Sequence, residues 1–183
     1  MIVHTLLAVL LAATFAGGFE QPYVDGAYYR YAAGTQLGPW TVTRGDVDLA
    51  SNALWQVTEG RQNLDLDGGQ HGAVATTFPT EPLLTYRISY DLAGNYAGPP
   101  AVKTGELRVN GKLIQPLSFD TTGKTATNMG FVRRTAYVLA KGTSFTLEFA
   151  STTTPAGYGP VIDDVRVDPC LLIICPRTNA PAA

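Results

Sequence analysis

The feature that most limits the fold of this chain is a two-residue alternation of apolar and polar side chains. Residues 86–92 (YRISYDL) and 145–149 (FTLEF) each place an apolar residue at every second position, and residues 64–67 (LDLD) follow the same pattern. In residues 74–78, Val74, Thr76 and Phe78 share one face. Successive side chains of a β-strand point to opposite faces, so this period is typical of strands with one face in a core. No stretch after residue 16 has the sustained three- and four-residue apolar spacing of a helix. The sequence therefore predicts an all-β fold.

Turn residues separate the predicted strands at short intervals. Glycine, proline and asparagine cluster in segments 67–69, 97–100, 110–112, 121–124 and 141–143. The pair Asn110 and Gly111 favours a type I′ turn, which joins the two strands of a hairpin. Many short strands with such turns are typical of an antiparallel β-sandwich of the jelly-roll type. Residues 23–38 are rich in tyrosine but lack a clean period, so we expect a long loop there.

The two ends of the chain differ from its middle. Residues 1–16 (MIVHTLLAVLLAATFA) contain no Asp, Glu, Lys or Arg, and their apolar run ends in small residues, which is typical of a secretory signal peptide. The run is shorter than the roughly 20 residues that a membrane-spanning helix needs. We expect a secreted protein with cleavage after Ala16, a β-sandwich domain over residues 17–168 and a C-terminal tail over residues 169–183.

The tail holds both cysteines of the chain, Cys170 and Cys175. A secreted protein meets oxidising conditions, in which these two thiols can close a small disulfide loop. Free thiols and intermolecular pairing are the alternatives.

Charge and motifs argue against nucleic-acid binding and against catalysis. The formal net charge is −2 at pH 7, and the chain has no basic stripe of the kind that nucleic-acid binders carry. His71 is the only histidine after the signal peptide, so a zinc site of the usual composition has no support. A Ser-His-Asp triad would need His71, and the sequence has no GxSxG motif. Asp163 and Asp164 lie side by side on a predicted strand and point to opposite faces, which does not suit a glycosidase cleft. We expect a protein that is not an enzyme.

Five segments in order resemble one known domain. It is the bacterial choice-of-anchor C domain, which is related to DUF642, a plant cell-wall family of unknown function. The segments are WTVTRGDVDL (40–49), EGRQNLDLDG (59–68), YDLAGN (90–95), FDTTGKTATNMGF (119–131) and GPVIDDVRV (159–167). Two departures from the family stand out: the plant proteins carry two such domains, and Phe131 stands where the family commonly has Trp.

The resemblance implies a galactose-binding-like β-sandwich in a secreted, non-catalytic protein of a cell wall or matrix. Plant members of the family are associated with cellulose and with pectin-modifying esterases. The partners that this implies are a cell-wall or matrix polysaccharide and a wall-modifying enzyme.

The resemblance also bears on the adjacent carboxylates Asp163 and Asp164, since a lone buried carboxylate is costly. Galactose-binding-like sandwiches bring their first and last strands together, here GGFEQP and PVIDDVRV, and related modules hold a structural calcium ion there. The implied ligands of Ca²⁺, which binds oxygen atoms, are Gly18, Glu20 and Asp164. Strict alternation places Asp163 on the core face beside Val165 and Val167, where we expect a hydrogen-bonded structural role. In the alternative without a metal, backbone N–H groups, Arg166 and Lys141 satisfy the carboxylates.

Aromatic residues in predicted loops are candidates for contact with a sugar ring, and polar neighbours are candidates for hydrogen bonds to its hydroxyls. Loops carry binding residues more often than strands do. The predicted ligand-binding residues are Trp55, Asn95, Tyr96, Arg133 and Tyr158, and the tyrosines of the first loop, Tyr28, Tyr29 and Tyr31, are further candidates. Each of them could instead pack in the core, as we expect Trp40 to do.

The sequence therefore predicts a secreted, non-catalytic carbohydrate-binding-like module with a structural calcium ion. The alternative is a structural or adaptor protein of the cell surface, whose surface binds another protein instead of a glycan. In that case the apolar residues 171–174 are the predicted contact.

We predict that the exported protein begins at or near Gly17, because the residues before it have the composition of a cleaved signal peptide. Intact-mass measurement of the secreted product checks this. A product that retains residues 2–13 would contradict it and would favour an N-terminal anchor.

Overall fold

The structure, a computed structural model, describes residues 14–170, which contain no helix. Thirteen strands are present: β1 (Phe15–Gly17), β2 (Tyr28–Ala32), β3 (Gln36–Leu37), β4 (Trp40–Arg44), β5 (Asp46–Ser51), β6 (Gln62–Asp65), β7 (Ala73–Pro79), β8 (Thr85–Gly94), β9 (Val102–Val109), β10 (Lys112–Asp120), β11 (Val132–Leu139), β12 (Ser144–Ser151) and β13 (Pro160–Cys170). Among residues 14–170, no helix is therefore long and apolar enough to cross a membrane.

The strands form two antiparallel sheets that face each other. Sheet A has the order β11-β8-β13-β6-β5-β2, with β1 also paired to β13, and sheet B has the order β10-β9-β12-β7-β4-β3. This arrangement confirms the predicted all-β antiparallel sandwich. The long strand β13 pairs with β8 along one side and with β6 and then β1 along the other, so the first and last strands of the described residues are neighbours.

The core lies between the sheets and follows the two-residue alternation. On β8, Tyr86, Ile88, Tyr90 and Leu92 share the inner face, and each is at most 1% exposed. The facing residues of β12 (Phe145, Leu147 and Phe149) are also buried. Alternation therefore predicted the inner face of both central strands.

Trp40 is part of this core, as predicted. Its indole is fully buried, stacks on Phe19 at 5.6 Å between ring centroids and meets Phe149 edge-on at 6.0 Å. Its Nε1–H donates to the carbonyl of Gly17 at 3.1 Å, which ties the N-terminal segment to sheet B.

The predicted hairpin is confirmed. Lys112 pairs with Val109, and the two turn residues between them, Asn110 and Gly111, have φ of 49° and 74°. Positive φ at both central positions is the signature of a type I′ turn, which suits asparagine and glycine.

The expectation of a loop over residues 23–38 is wrong in part, because β2 and β3 lie within it. β2 is an edge strand that pairs only with β5, and its residues are mostly exposed on both faces. A strand without a fully buried face has no apolar alternation, so the periodicity could not reveal it.

The adjacent aspartates sit at a β-bulge in β13. The register with β8 shifts between Asp163 and Arg166, so Asp164 and Val165 together oppose one residue, and Asp164 has a φ of 44°. Strict alternation placed Asp163 on the core face with Val165 and Val167, and this is wrong. Asp163 is opposite Asp91, on the outer face of sheet A.

Asp163 is nevertheless fully buried, because the loop before β6 covers it. One carboxylate oxygen accepts hydrogen bonds from the Thr58 N–H (2.7 Å), the Thr58 hydroxyl (3.0 Å) and the Glu59 N–H (3.1 Å). The other accepts the N–H of Asp164 at 2.7 Å. Burial raises the pKa of Asp163 to about 6, against the opposing effect of these donors.

Asp65, at the end of β6, is a second fully buried carboxyl group on the outer face of sheet A. It accepts hydrogen bonds from the N–H groups of Asp67 (2.9 Å) and Gly159 (3.1 Å) and from the Asn95 amide (2.7 Å). Burial nonetheless raises the pKa of Asp65 to about 8, and the charges of Asp67 and Asp48 act in the same direction. Asp67 is also buried, and burial raises its pKa against the opposing effect of the Ser151 side chain and the Gly72 backbone.

The expectations about the chain ends fall mostly outside the described residues. β1 begins at Phe15, and its pairing with β13 includes Ala16 and Gly17, so cleavage after Ala16 would leave one residue of this strand. Cys170 ends β13 as a buried, disulfide-bonded cysteine. The residue predicted to pair with it, Cys175, and the apolar residues 171–174 lie outside the described part of the chain.

The two raised pKa values predict that stability falls as the pH rises. In the folded state Asp163 and Asp65 keep their protons up to pKa values of about 6 and about 8, whereas an unfolded Asp releases its proton near pH 4. Folding therefore takes up protons between these pH values. The two protonated carboxyl groups contribute their full stability below about pH 4, and this contribution is lost as the pH rises to about 8. One pKa unit corresponds to about 1.4 kcal/mol, so we expect a melting temperature several degrees higher at pH 5 than at pH 8.

Thermal unfolding in calcium-free buffer at the two pH values measures this difference. An Asp65→Asn variant is the control, since it removes the group with the larger shift and should reduce the pH dependence. A melting temperature that is equal or higher at pH 8 would contradict the burial argument.

Candidate functional site

The main candidate site is a pocket of about 400 Å³ on the outer face of sheet A, near its β2 edge. Its floor comes from neighbouring positions of β2 and β5, where Arg30 pairs with Asp48 and Tyr28 pairs with Ala50. Four loops form the walls and contribute Leu54, Trp55, Gly68, Asn95, Tyr96, Ala97, Gly157 and Tyr158. Strand pairing therefore fixes the floor, and the loops between strands fix the walls.

Four aromatic side chains line this pocket. Tyr28 and Tyr158 are 49% and 37% exposed, whereas Trp55 is 7% exposed. The Trp55 indole N–H donates to the Asn63 Oδ1 at 2.7 Å, and its ring meets that of Tyr96 edge-on at 6.5 Å. Trp55 and Tyr96 thus form a fixed wall, while Tyr28 and Tyr158 present rings to solvent.

An ion pair between Arg30 and Asp48 supplies the polar groups. The Arg30 Nε and Nη2 donate to the two oxygens of Asp48 at 2.8 and 2.9 Å, a bidentate geometry. The pKa of Arg30 is raised, first by this hydrogen bond. A Cβ on Gly68 would lie 2.7 Å from the Arg30 Nε, so glycine at that position leaves room for the guanidinium. Because the pair remains partly exposed, it offers both donors and acceptors to a bound molecule.

The structure brings four of the five predicted ligand-binding residues into this pocket: Trp55, Asn95, Tyr96 and Tyr158. Asn95 is 7% exposed, and its side chain is bonded internally, to Asp65 through Nδ2 and to the Ala97 N–H through Oδ1. Its geometry therefore suits support of the wall better than contact with a ligand.

Arg133, the fifth, lies elsewhere on sheet A. Its guanidinium contacts Asp164 at 2.7 Å, Asp91 at 3.2 Å and the Ser89 hydroxyl at 3.0 Å. Sequence reasoning missed Arg30 and Asp48, because β2 was taken for a loop and no local motif shows that these residues pair across strands.

A second pocket, of about 340 Å³, contains the predicted calcium ligands. Gly18, Glu20 and Asp164 line it together with Glu59 and Arg166. The pKa of Glu59 is raised, first by burial and then by the negative charges of Glu20 and Asp164. The first and last parts of the domain therefore bring Glu20 and Asp164 together, as predicted for these two carboxylates. Glu59 is a third carboxylate of this pocket, and the sequence analysis did not identify it.

Two of these carboxylates, Glu20 and Asp164, are bonded to protein groups in the structure. Glu20 accepts the backbone N–H groups of Arg61 (3.0 Å) and Gln62 (3.1 Å), and Asp164 pairs with Arg133 and Arg166, each at 2.7 Å. As the side chains stand, residues 14–170 include no group of three or more His, Cys, Asp or Glu residues that could hold a metal ion. Ca²⁺ could take these oxygens only if some of them exchanged their present partners for the ion.

Comparison with known proteins places the fold among carbohydrate-binding modules. The structure resembles a family 35 carbohydrate-binding module from Clostridium thermocellum, with a TM-score of 0.51 and 13% identity, over 85% of this chain and 98% of that one. It also resembles the tandem CBM22-1-CBM22-2 domain of Xyn10C from Paenibacillus barcinonensis, with a TM-score of 0.53 and 16% identity, over 96% of this chain and 49% of that one. At such identities the likeness establishes a shared fold. No curated protein matches the sequence.

The sequence itself matches one family model, described as a protein of unknown function (DUF642), over residues 15–168. This range includes every strand from β1 to the greater part of β13, and both pockets. The chain belongs to the DUF642 family.

Proposed function

We propose that this protein is a secreted, non-catalytic module that binds a polysaccharide of a cell wall or extracellular matrix. The observation that carries the proposal is the pocket on sheet A, where four aromatic side chains surround the Arg30–Asp48 ion pair. The carbohydrate-binding modules that share the fold support the same class of ligand.

The chemistry of the pocket suits a sugar. A sugar ring has apolar C–H faces that pack on aromatic rings, and the exposed rings of Tyr28 and Tyr158 offer such surfaces. A sugar hydroxyl can accept a hydrogen bond from the Arg30 guanidinium and can donate one to the Asp48 carboxylate. A mostly apolar pocket with a few oriented polar groups is the usual form of a small-molecule site.

We predict that Tyr28→Ala and Tyr158→Ala weaken retention on insoluble polysaccharide about tenfold or more, since each removes a ring that would stack on sugar. Tyr29→Ala is the matched control: Tyr29 is 51% exposed, like Tyr28, but points to the other face of β2. Pull-down on insoluble cellulose, xylan and mannan measures retention, and thermal melting shows that each variant is folded. A tenfold loss corresponds to about 1.4 kcal/mol.

Two results would count against this proposal. Wild-type protein that none of the three polysaccharides retains would favour the adaptor function. Equal effects of Tyr28→Ala and Tyr29→Ala would place binding outside the pocket.

A specific observation supports the adaptor function as the second candidate. The edge strand β11 exposes the apolar side chains Val132, Tyr137 and Leu139, which are 44%, 60% and 51% exposed. Tyr137 and Leu139 border a groove of about 400 Å³ that also includes Ile114 and Phe145. An exposed apolar groove of this kind suits a protein partner, and a wall-modifying enzyme is the partner that we propose.

We further propose a structural Ca²⁺ ion at the second pocket, held by Glu20, Glu59, Asp164 and the carbonyl of Gly18. The convergence of three carboxylates supports it, because a cation would offset the mutual repulsion of Glu20, Glu59 and Asp164. Its role would be to hold the segment after β1 against β13 and the loop before β6.

We predict that chelation lowers the melting temperature and that millimolar calcium restores it. An ion that binds only the folded state contributes about 2.7 kcal/mol at a hundredfold excess over its dissociation constant, or several degrees for a domain of this size. Glu20→Gln and Asp164→Asn should each abolish the response, whereas the exposed Asp25→Asn should keep it. Wild-type melting that ignores both chelator and calcium would exclude the ion and leave the carboxylates to their hydrogen bonds.

A further inference from the structure

Two fully buried, ionisable side chains lie behind the aromatic pocket. Asp65 on β6 and Lys103 on β9 are each 0% exposed. Burying a polar group is costly unless it is hydrogen-bonded, so each of these side chains needs polar partners inside the protein. The polar groups that they contact belong almost entirely to the two loops that carry Tyr96 and Tyr158.

Asp65 joins these two loops directly. Its Oδ2 accepts the Asn95 side-chain amide at 2.7 Å, next to Tyr96, and its Oδ1 accepts the Gly159 N–H at 3.1 Å, next to Tyr158. The loops also meet each other, since the Asn95 N–H donates to the Gly159 carbonyl at 2.9 Å. One carboxylate therefore fixes the position of both loops.

Lys103 holds the same loops from the other side. Its Nζ donates to the Gly98 carbonyl at 2.6 Å and lies 5.7 Å from the centroid of the Tyr158 ring. Tyr158 in turn packs so closely on Gly98 that no Cβ would fit there. The ammonium thus fixes the end of one loop and favours the position of the ring on the other.

We propose that Asp65 and Lys103 form a buried clamp, a pair of positioning residues that hold Tyr96 and Tyr158 in the geometry that binds sugar. The clamp rests on the function proposed above, but its effect on the loops does not require a ligand. Preorganised walls favour binding, because the loops do not have to be ordered when the ligand arrives. Neither residue lines the pocket, so neither is assigned a contact with the sugar.

The hydrogen-bond pattern at Asp65 offers a sharp test. In Asp65→Asn, the remaining oxygen can still accept the N–H groups of Asp67 and Gly159. The new NH₂ group, however, faces the NH₂ group of Asn95, so two donors meet and their hydrogen bond is lost. The double variant Asp65→Asn with Asn95→Asp reverses the pair. It restores the bond between the two side chains, keeps an acceptor for the Ala97 N–H and retains one carboxylate.

Amide hydrogen exchange of the free, full-length protein measures the clamp, and pull-down on cellulose, xylan and mannan measures binding. Asp65→Asn should speed exchange in residues 95–98 and 157–159 and weaken retention about tenfold. The double variant should restore both properties toward wild type. Lys103→Met should speed exchange in residues 95–98 and weaken retention, while amides of the distant hairpin at 109–112 keep their wild-type rates.

The outcomes separate the clamp from the proposed function. Wild-type exchange rates in both loops of Asp65→Asn, or a double variant that recovers its melting temperature without recovering loop protection, would overturn the clamp. Should Asp65→Asn fail to fold, the double variant and Lys103→Met decide by the same two readouts. Faster loop exchange in a protein that no polysaccharide retains would support the clamp and refute glycan binding. Faster exchange with unchanged retention would show that the loops do not serve binding, and would overturn the positioning role.

Discussion

The arrangement of sheet A depends on the hydrogen bonds that the buried carboxylate of Asp163 accepts. This carboxylate lies on β13, which pairs with three other strands, and it receives hydrogen bonds from the loop before β6 and from the bulged Asp164. The bulge changes which face each residue occupies, so Val165 and Val167 return to the core while Asp163 stays outside it. Without an acceptor at this position, three donors of the covering loop would lose their partner in a buried site, which is costly.

The outer face of sheet A is unusual because much of it is polar and yet buried. Asp48, Asn63, Asp65 and Asp163 are each at most 9% exposed. Their polar groups are satisfied within the protein: Asp65 and Asp163 accept N–H groups of the covering loops, whereas Asp48 pairs with Arg30 on β2. The same loops carry the walls of the aromatic pocket, so the polar layer that supports the sheet also orders the candidate site. This arrangement explains why polar residues that alternate with core residues are not simply exposed to solvent.

Local patterns predicted what depends on local geometry. The alternation in β8 and β12, the core position of Trp40 and the type I′ hairpin at Asn110 and Gly111 were all predicted correctly. The predictions failed where pairing between distant strands decides the outcome. The edge strand β2 was missed because both of its faces are exposed, and the bulge was missed because alternation alone assumes a regular strand.

Sequence alone was enough to predict the all-β class, the inner face of the central strands and most of the aromatic residues that meet at the candidate site. These follow from periodicity, turn chemistry and the placement of tyrosines beside glycine and proline, which are properties of short segments. Three outcomes are visible only in the tertiary structure. Arg30 pairs with Asp48, and Arg133 pairs with Asp164 and lies away from the pocket. Asp65 and Asp163 are buried. The reason is physical: each of these outcomes depends on which residues of distant strands and loops become neighbours, and strand register, including the bulge at Asp164, sets that arrangement.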